Sequence, residues 1–207
     1  MEKSLFESAH GPVRRVVLVI GQARFESLCH RLLAAARSAL EEGGSETRVH
    51  DLLADGFDPV LRLPPGEAVA RAELSTPLAR RYQEDVTWMD ALVVVHPVWW
   101  FAPPAILKGW VDQVLVRGIA FDQGGRTPRP LLRGRRALLI QTFNAPRVVD
   151  RVLMRGLSEA FWRRAVFSSV GIRRVRRVAF HGVEGASLSR VAEMESEVEK
   201  AARGLLE

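Results

Sequence analysis

The chain has 207 residues, 47% of them hydrophobic, which is enough to bury one α/β core and too apolar for a disordered segment. Its 30 basic residues against 24 acidic ones give a formal charge of +6, but all except Lys3, Lys108 and Lys200 are arginine, a skew that reflects compositional bias better than a nucleic-acid surface. One cysteine excludes an internal disulfide framework and suits a reducing cytoplasm, no apolar run reaches the ~20 residues of a membrane helix, and residues 1–13 lack the apolar core of a signal peptide.

Five apolar, β-rich runs read as strands: Arg15–Ile20, Thr47–Leu53, Ala91–His96, Arg135–Thr142 and Val175–Phe180. Between them fall helical patterns. Leu28, Leu32, Leu33, Ala36 and Leu40 share one face, with Ser27 placed to cap and Gly43-Gly44 to terminate. Helices are further expected over Leu78–Met89, Pro103–Leu115 with both prolines in the first turn, Asp150–Phe167, and Ser187–Leu206 with Glu193, Glu195, Glu197 and Glu199 exposed. Alternation of strand and helix predicts a single doubly wound domain, a five-stranded parallel sheet in the order 2-1-3-4-5. Residues 54–77 and 117–134 remain as long loops, whose Phe57, Val60, Leu61, Ile119 and Phe121 are expected to be exposed at a partner interface.

In such a sheet, ligands bind at the carboxyl ends of the strands, where the order reverses between the first and third. Three segments fall there. The first loop, Gly21 to Ser27, offers backbone N–H groups, Arg24 and the Ser27 hydroxyl to an anion; a serine that merely caps its helix is the plainer reading. After the third strand come Pro97, Val98, Trp99, Trp100 and Phe101. Three rings on a proline-flanked turn favour a planar aromatic ligand over core filling. After the fourth come Thr142, Phe143 and Asn144, with polar groups for a ligand edge, or an asparagine satisfying its own turn.

The run from Pro97 to Asp112, continuing to Gly118-Ile119-Ala120-Phe121-Asp122, resembles the signature of the flavodoxin-like NAD(P)H:quinone oxidoreductases, the DT-diaphorase family. The resemblance is strongest over residues 91–143 and extends more weakly across 15–183. It implies a flavodoxin-like fold and a flavin, FAD or FMN with FAD favoured, taking hydride from NAD(P)H and passing it to a quinone-like acceptor. It implies flavin contacts from Gln22, Arg24, Ser27, Pro97, Val98, Trp99, Trp100, Phe101, Thr142, Phe143 and Asn144, with backbone N–H groups of the aromatic turn facing the ring. It also implies a homodimer whose long loops complete each site. The chain departs from the family where Gln22 replaces a histidine and Leu28-Cys29 replace Phe-Asn. A flavodoxin-like electron carrier or redox-sensing regulatory subunit is the alternative, disfavoured by the positive charge.

Other constellations carry less. Cys29 and His30 are helix neighbours that point apart, so they form no nucleophile–base pair. The five histidines lack metal-ligand spacing, and His181 reads as structural. The arginine clusters at 133–136, 163–164 and 173–177 flank strand and helix ends without a nucleic-acid-binding motif. Tyr82 precedes the third strand, so the tyrosine–histidine relay of some family members has no counterpart among the expected site residues.

Overall fold

The computed structural model describes residues 14–67, 70–123 and 127–207. The reading of residues 1–13 as no signal peptide therefore lies outside the described residues.

The elements follow in the order β1 (Arg15–Ile20), α1 (Leu28–Glu42), β2 (Glu46–Asp51), α2 (Pro77–Trp88), β3 (Ala91–Pro97), α3 (Ala105–Val114), β4 (Phe121–Asp122), β5 (Arg129–Pro130), β6 (Arg136–Phe143), α4 (Leu157–Ala160), α5 (Ser168–Val170), β7 (Arg174–His181) and α6 (Leu188–Arg203). Five strands form one parallel sheet in the order β2-β1-β3-β6-β7, which is the expected 2-1-3-4-5. β4 and β5 form a separate two-residue antiparallel pair within the 117–134 loop.

The period of two along each strand decides what packs where. Val16, Leu18 and Ile20 of β1, with Val93 and Val95 of β3, join a core beneath α1 and α6. Val17 and Val19, with Leu92 and Val94, join a second core beneath α2 and α3. Both faces of β3 are thus covered, which is why its run is apolar throughout rather than alternating. Burying each such side chain contributes roughly 1.5–3 kcal/mol, so the central strands anchor the strand ends from which the site is built.

The structure corrects several expectations. β2 stops at Asp51, not Leu53, because the Asp51 carboxylate accepts the Ala54 N–H at 3.1 Å and turns the chain. Pro103 and Pro104 precede α3: Pro104 is extended (ψ 151°) and serves as its N-cap. The helix expected over 150–167 is broken. A π-helical turn at Val149–Leu153 ends where Arg155 and Gly156 take positive φ (49° and 65°), and helix resumes at Leu157, continuing through a second π segment at Phe161–Phe167. Phe57 is buried against Tyr82, and Ile119 and Phe121 pack partly buried on the second core, leaving only Val60 and Leu61 of the five loop residues exposed. Along α6, Glu195 and Glu199 are half-buried, while Glu193 and Glu197 are exposed. Among the described residues no helix is long and apolar enough to cross a membrane.

Candidate functional site

At the C-terminal end of β1, the Gly21 N–H extends the sheet ladder to Val95 O (3.1 Å). A side chain at 21 would meet Leu107 Cβ at 2.4 Å, so α3 can sit against this strand end only because residue 21 is glycine. Gln22 is buried and its Oε1 accepts the Ala23 N–H at 2.7 Å, turning the loop outward past Arg24. The loop returns at Ser27, the N-cap of α1. His30 completes a capping box: its backbone N–H donates to Ser27 Oγ at 3.4 Å, and its ring Nδ1 accepts the Ser27 N–H at 3.4 Å.

The turn after β3 is more unusual. Trp99 N–H donates to Ala102 O at 3.0 Å and Ala102 N–H to Trp99 O at 2.9 Å, while Trp100 (φ 50°) and Phe101 (φ 58°) occupy the left-handed region. Positive φ at both central residues is the type I′ geometry that normally recruits Asn or Gly. Two large L-residues there cost of order 1–2 kcal/mol each. The turn nevertheless leaves Trp100 96% exposed and Trp99 half exposed. The rings are therefore not core. Because the Trp99 N–H closes the turn and the Val98 N–H is donated to Thr142 O at 2.8 Å, those two cannot face a ligand ring, contrary to the expectation for Trp99.

Replacing Trp100 with glycine tests the strain. Trp100→Gly should raise stability by about 0.5–1 kcal/mol, the relief of a left-handed φ minus the backbone entropy of glycine, since almost no buried area is lost. A higher urea midpoint at unchanged m-value would show it; a lower one would mean that the ring packs in solution.

β6 and β7 complete the edge. Thr142 Oγ1 lies 3.4 Å from Cys29 Sγ, and Asn144 Nδ2 donates to Glu184 Oε2 at 3.3 Å. Burial pushes the Cys29 thiol up to about 11, which leaves it an uncharged packing group rather than a nucleophile. Between these segments lies a cleft of about 810 Å³. Nine of the eleven expected residues line it: Gln22, Arg24, Ser27, Pro97, Val98, Trp99, Trp100, Thr142 and Asn144. Phe101 and Phe143 do not line it. Phe101 is half-buried, and the buried Phe143 ring stacks on His181 at 4.6 Å. Sequence reasoning missed Leu28, Cys29 and the Val183-Glu184-Gly185 loop. The strand order held the signal for that loop, since a fifth strand beside the fourth must deliver its own exit to the same edge.

The chemistry of the cleft is asymmetric. One side holds the Ser27 hydroxyl and Arg24, which has no ion-pair partner among the described residues. The other side is the exposed indole surface of Trp99 and Trp100. That set suits a ligand with an anionic end and a planar aromatic end. No group of three or more His, Cys, Asp or Glu that could hold a metal ion occurs among the described residues.

Comparison with known proteins places this geometry. A family model described as having a flavodoxin-like fold matches residues 14–204. The ribosyldihydronicotinamide dehydrogenase (quinone) of Mus musculus is 30% identical over 146 residues, covering 62% of this chain and 63% of that protein, so the chain spans somewhat under two thirds of that relative's length. Among solved structures, the NAD(P)H:quinone oxidoreductase of Methanothermobacter marburgensis superposes with a TM-score of 0.76 at 21% identity, covering 93% of this chain and 99% of that one. An FMN-dependent NADH-azoreductase of Bacillus anthracis in complex with FMN gives 0.74 at 19%, covering 94% and 100%. With the strand order, the edge cleft and a match across nearly the whole described chain, this protein belongs to the flavodoxin-like family.

Proposed function

We propose that the chain is a cytoplasmic, flavin-dependent NAD(P)H oxidoreductase that passes hydride to a quinone-like acceptor. The observation that carries the proposal is the cleft itself, with an arginine that has no ion-pair partner among the described residues and a capping serine at one side, and a strained, exposed Trp-Trp turn at the other. The printed activity of the mouse relative and the FMN dependence of the azoreductase neighbour support it.

The residues present fit a flavin, FAD or FMN. When bound, that group supplies two-electron hydride chemistry between nicotinamide and acceptor. Ser27, Arg24 and the first N–H groups of α1 would hold its phosphate. Trp99 and Trp100 present apolar surface to its ring. Thr142 and Asn144 offer hydrogen bonds to its polar edge, and Glu184 holds the Asn144 amide in place. The Val98–Thr142 and Trp99–Ala102 hydrogen bonds fix the turn before any ligand arrives, so little ordering remains to be done on binding.

One open face must serve nicotinamide and acceptor in turn, so steady-state turnover with NAD(P)H and a quinone should give parallel double-reciprocal lines. Intersecting lines would contradict the shared face. An electron carrier, the alternative, would consume no NAD(P)H with a quinone alone. We further propose a homodimer, supported by exposed Val148, Val152, Leu153 and Leu157 clustered on the segment around the helix break. Phe121 is unsuited to test it because that ring packs on its own core.

A further inference from the structure

Beyond the residues that line the cleft, a buried chain of hydrogen bonds runs from β7 to the root of the Trp99-Trp100 turn. Arg177 Nε donates to Gln141 Oε1 at 2.7 Å, Gln141 Nε2 lies 3.2 Å from His96 Nε2, and His96 Nδ1 lies 2.7 Å from Pro97 O. His96, Gln141 and Trp162 have no exposed surface, and none of the three lines the cleft. The partners fix each orientation along the chain. A guanidinium can only donate, so the oxygen of the Gln141 amide faces Arg177, and its nitrogen faces His96 and Ser158 Oγ (2.7 Å). Trp162 Nε1 also donates to His96 Nε2, at 2.9 Å. With two donors converging on it, Nε2 is the bare nitrogen. The ring hydrogen therefore sits on Nδ1 and is donated to the Pro97 carbonyl. Burial, with the Arg177 charge assisting, pushes His96 down to about 4, so at neutral pH the ring keeps this uncharged form.

The carbonyl of Pro97 and the N–H of Val98 belong to one peptide plane. Its oxygen is held by His96, and its N–H is donated to Thr142 O at 2.8 Å. That plane leads into the turn in which Trp100 and Phe101 hold positive φ (50° and 58°). Strained backbone of this kind persists only where its surroundings over-determine it. The Trp99–Ala102 hydrogen bonds lie inside the turn, so they close it without anchoring it to the sheet. The anchor is the Pro97–Val98 plane. Were the ring hydrogen on Nε2, the Nδ1 lone pair would face the carbonyl oxygen across 2.7 Å, and the plane would lose one of its two holds.

We propose that His96, oriented by Gln141 and Trp162, is a positioning residue whose Nδ1–H holds the Pro97–Val98 peptide and thereby sets Trp99 and Trp100 at the ring side of the cleft. This rests on the reading of the cleft as a flavin site. His96 lies outside the cleft surface and acts only through the peptide. Loss of the Nδ1 donor lets the strained turn relax, and a flavin must then reorder it on binding. That ordering costs affinity for the ring and leaves the phosphate contacts untouched.

Two substitutions in the full chain separate the ring nitrogens. An asparagine amide reaches about as far as Nδ1, and a glutamine amide about as far as Nε2. His96→Asn therefore keeps a donor for Pro97 O, whereas His96→Gln keeps a partner for Trp162 and gives up that donor. By titration with FMN and with riboflavin, His96→Gln should weaken both flavins alike by about tenfold, and His96→Asn should recover most of that loss. A role confined to stability would lower the Tm of both variants and leave both Kd values unchanged. That result, or equal weakening in the two variants, overturns the inference and leaves the flavin reading standing. Should neither variant fold, nitrogen NMR of the unmodified chain decides: a bare Nε2 and a hydrogen on Nδ1 of His96 support the inference, and a hydrogen on Nε2 overturns it. Failure of the unmodified chain to bind FMN and riboflavin alike overturns the flavin reading and the inference with it.

Discussion

Arg177→Met is expected to cost about 3–5 kcal/mol of stability, lowering Tm by roughly 10 °C for a chain of this size. Arg177 is an almost fully buried guanidinium on β7. It donates to Gln141 Oε1 at 2.7 Å, to Glu159 Oε2 at 3.2 Å and to Asp150 Oδ2 at 3.3 Å, and lies over the Phe143 ring. Asp150 is fully buried, and its Oδ1 has no hydrogen-bond partner among the described residues. Without Arg177 that carboxylate retains, among the described residues, His181 at 3.1 Å and the more distant Arg151 at 3.9 Å. The cost is that of stranding a buried charge, not the net value of the pair. Adding Asp150→Asn to Arg177→Met should therefore recover a large part of the loss. Denaturant unfolding of the two variants checks it, and a loss under about 1 kcal/mol in the single variant would mean that water screens the cluster. The same cluster ties the broken helix to β7 and lies over the ring of Phe143, the neighbour in sequence of the cleft-lining Asn144.

Acid should destabilise the fold through His96, by about 3 kcal/mol once the pH reaches 4. His96 is the last residue but one of β3 and has no exposed surface. Its Nε2 accepts from Trp162 Nε1 at 2.9 Å, and its Nδ1 donates to Pro97 O at 2.7 Å. Trp162 can only donate, so a proton on Nε2 would face another hydrogen. Burial first, with the positive charge of Arg177 assisting, pushes His96 from 6.5 down to about 4. Its folded value is depressed, so the contribution is complete above 6.5 and is lost as the pH falls from there towards 4, where the unfolded chain binds a proton that the native site refuses. His50, also lowered chiefly by burial, acts in the same direction. Unfolding free energies measured between neutral pH and pH 4 should fall, and His96→Gln should flatten that slope; an unchanged slope would show that His96 titrates freely.

The sheet was legible because its signal is local. Apolar runs of strand length and the alternation with helices specify a parallel sheet, and β1 begins and ends where its pattern says. The site was legible for the same reason, since strand order places the exits of β1, β3 and β6 together. What escaped depended on contacts distant in sequence or on backbone torsion. The helix break could not be read, because the periodicity runs through Arg155-Gly156 while their φ values do not. Phe57 looked like loop surface until α2 brought Tyr82 against it. Phe143 looked like a ligand contact, but the alternation along β6 turns its ring towards His181. His30 shows nothing in the sequence beyond a neighbouring cysteine, since only the fold brings Asp51 to its ring.

Flavin titration into the purified chain tests the central claim most directly. Stoichiometric binding of FMN or FAD, one per chain, with quenching of tryptophan fluorescence from Trp99 and Trp100, is the predicted result, and the tighter of the two identifies the cofactor. Absence of binding by both flavins, with the fold intact by circular dichroism, would contradict the account.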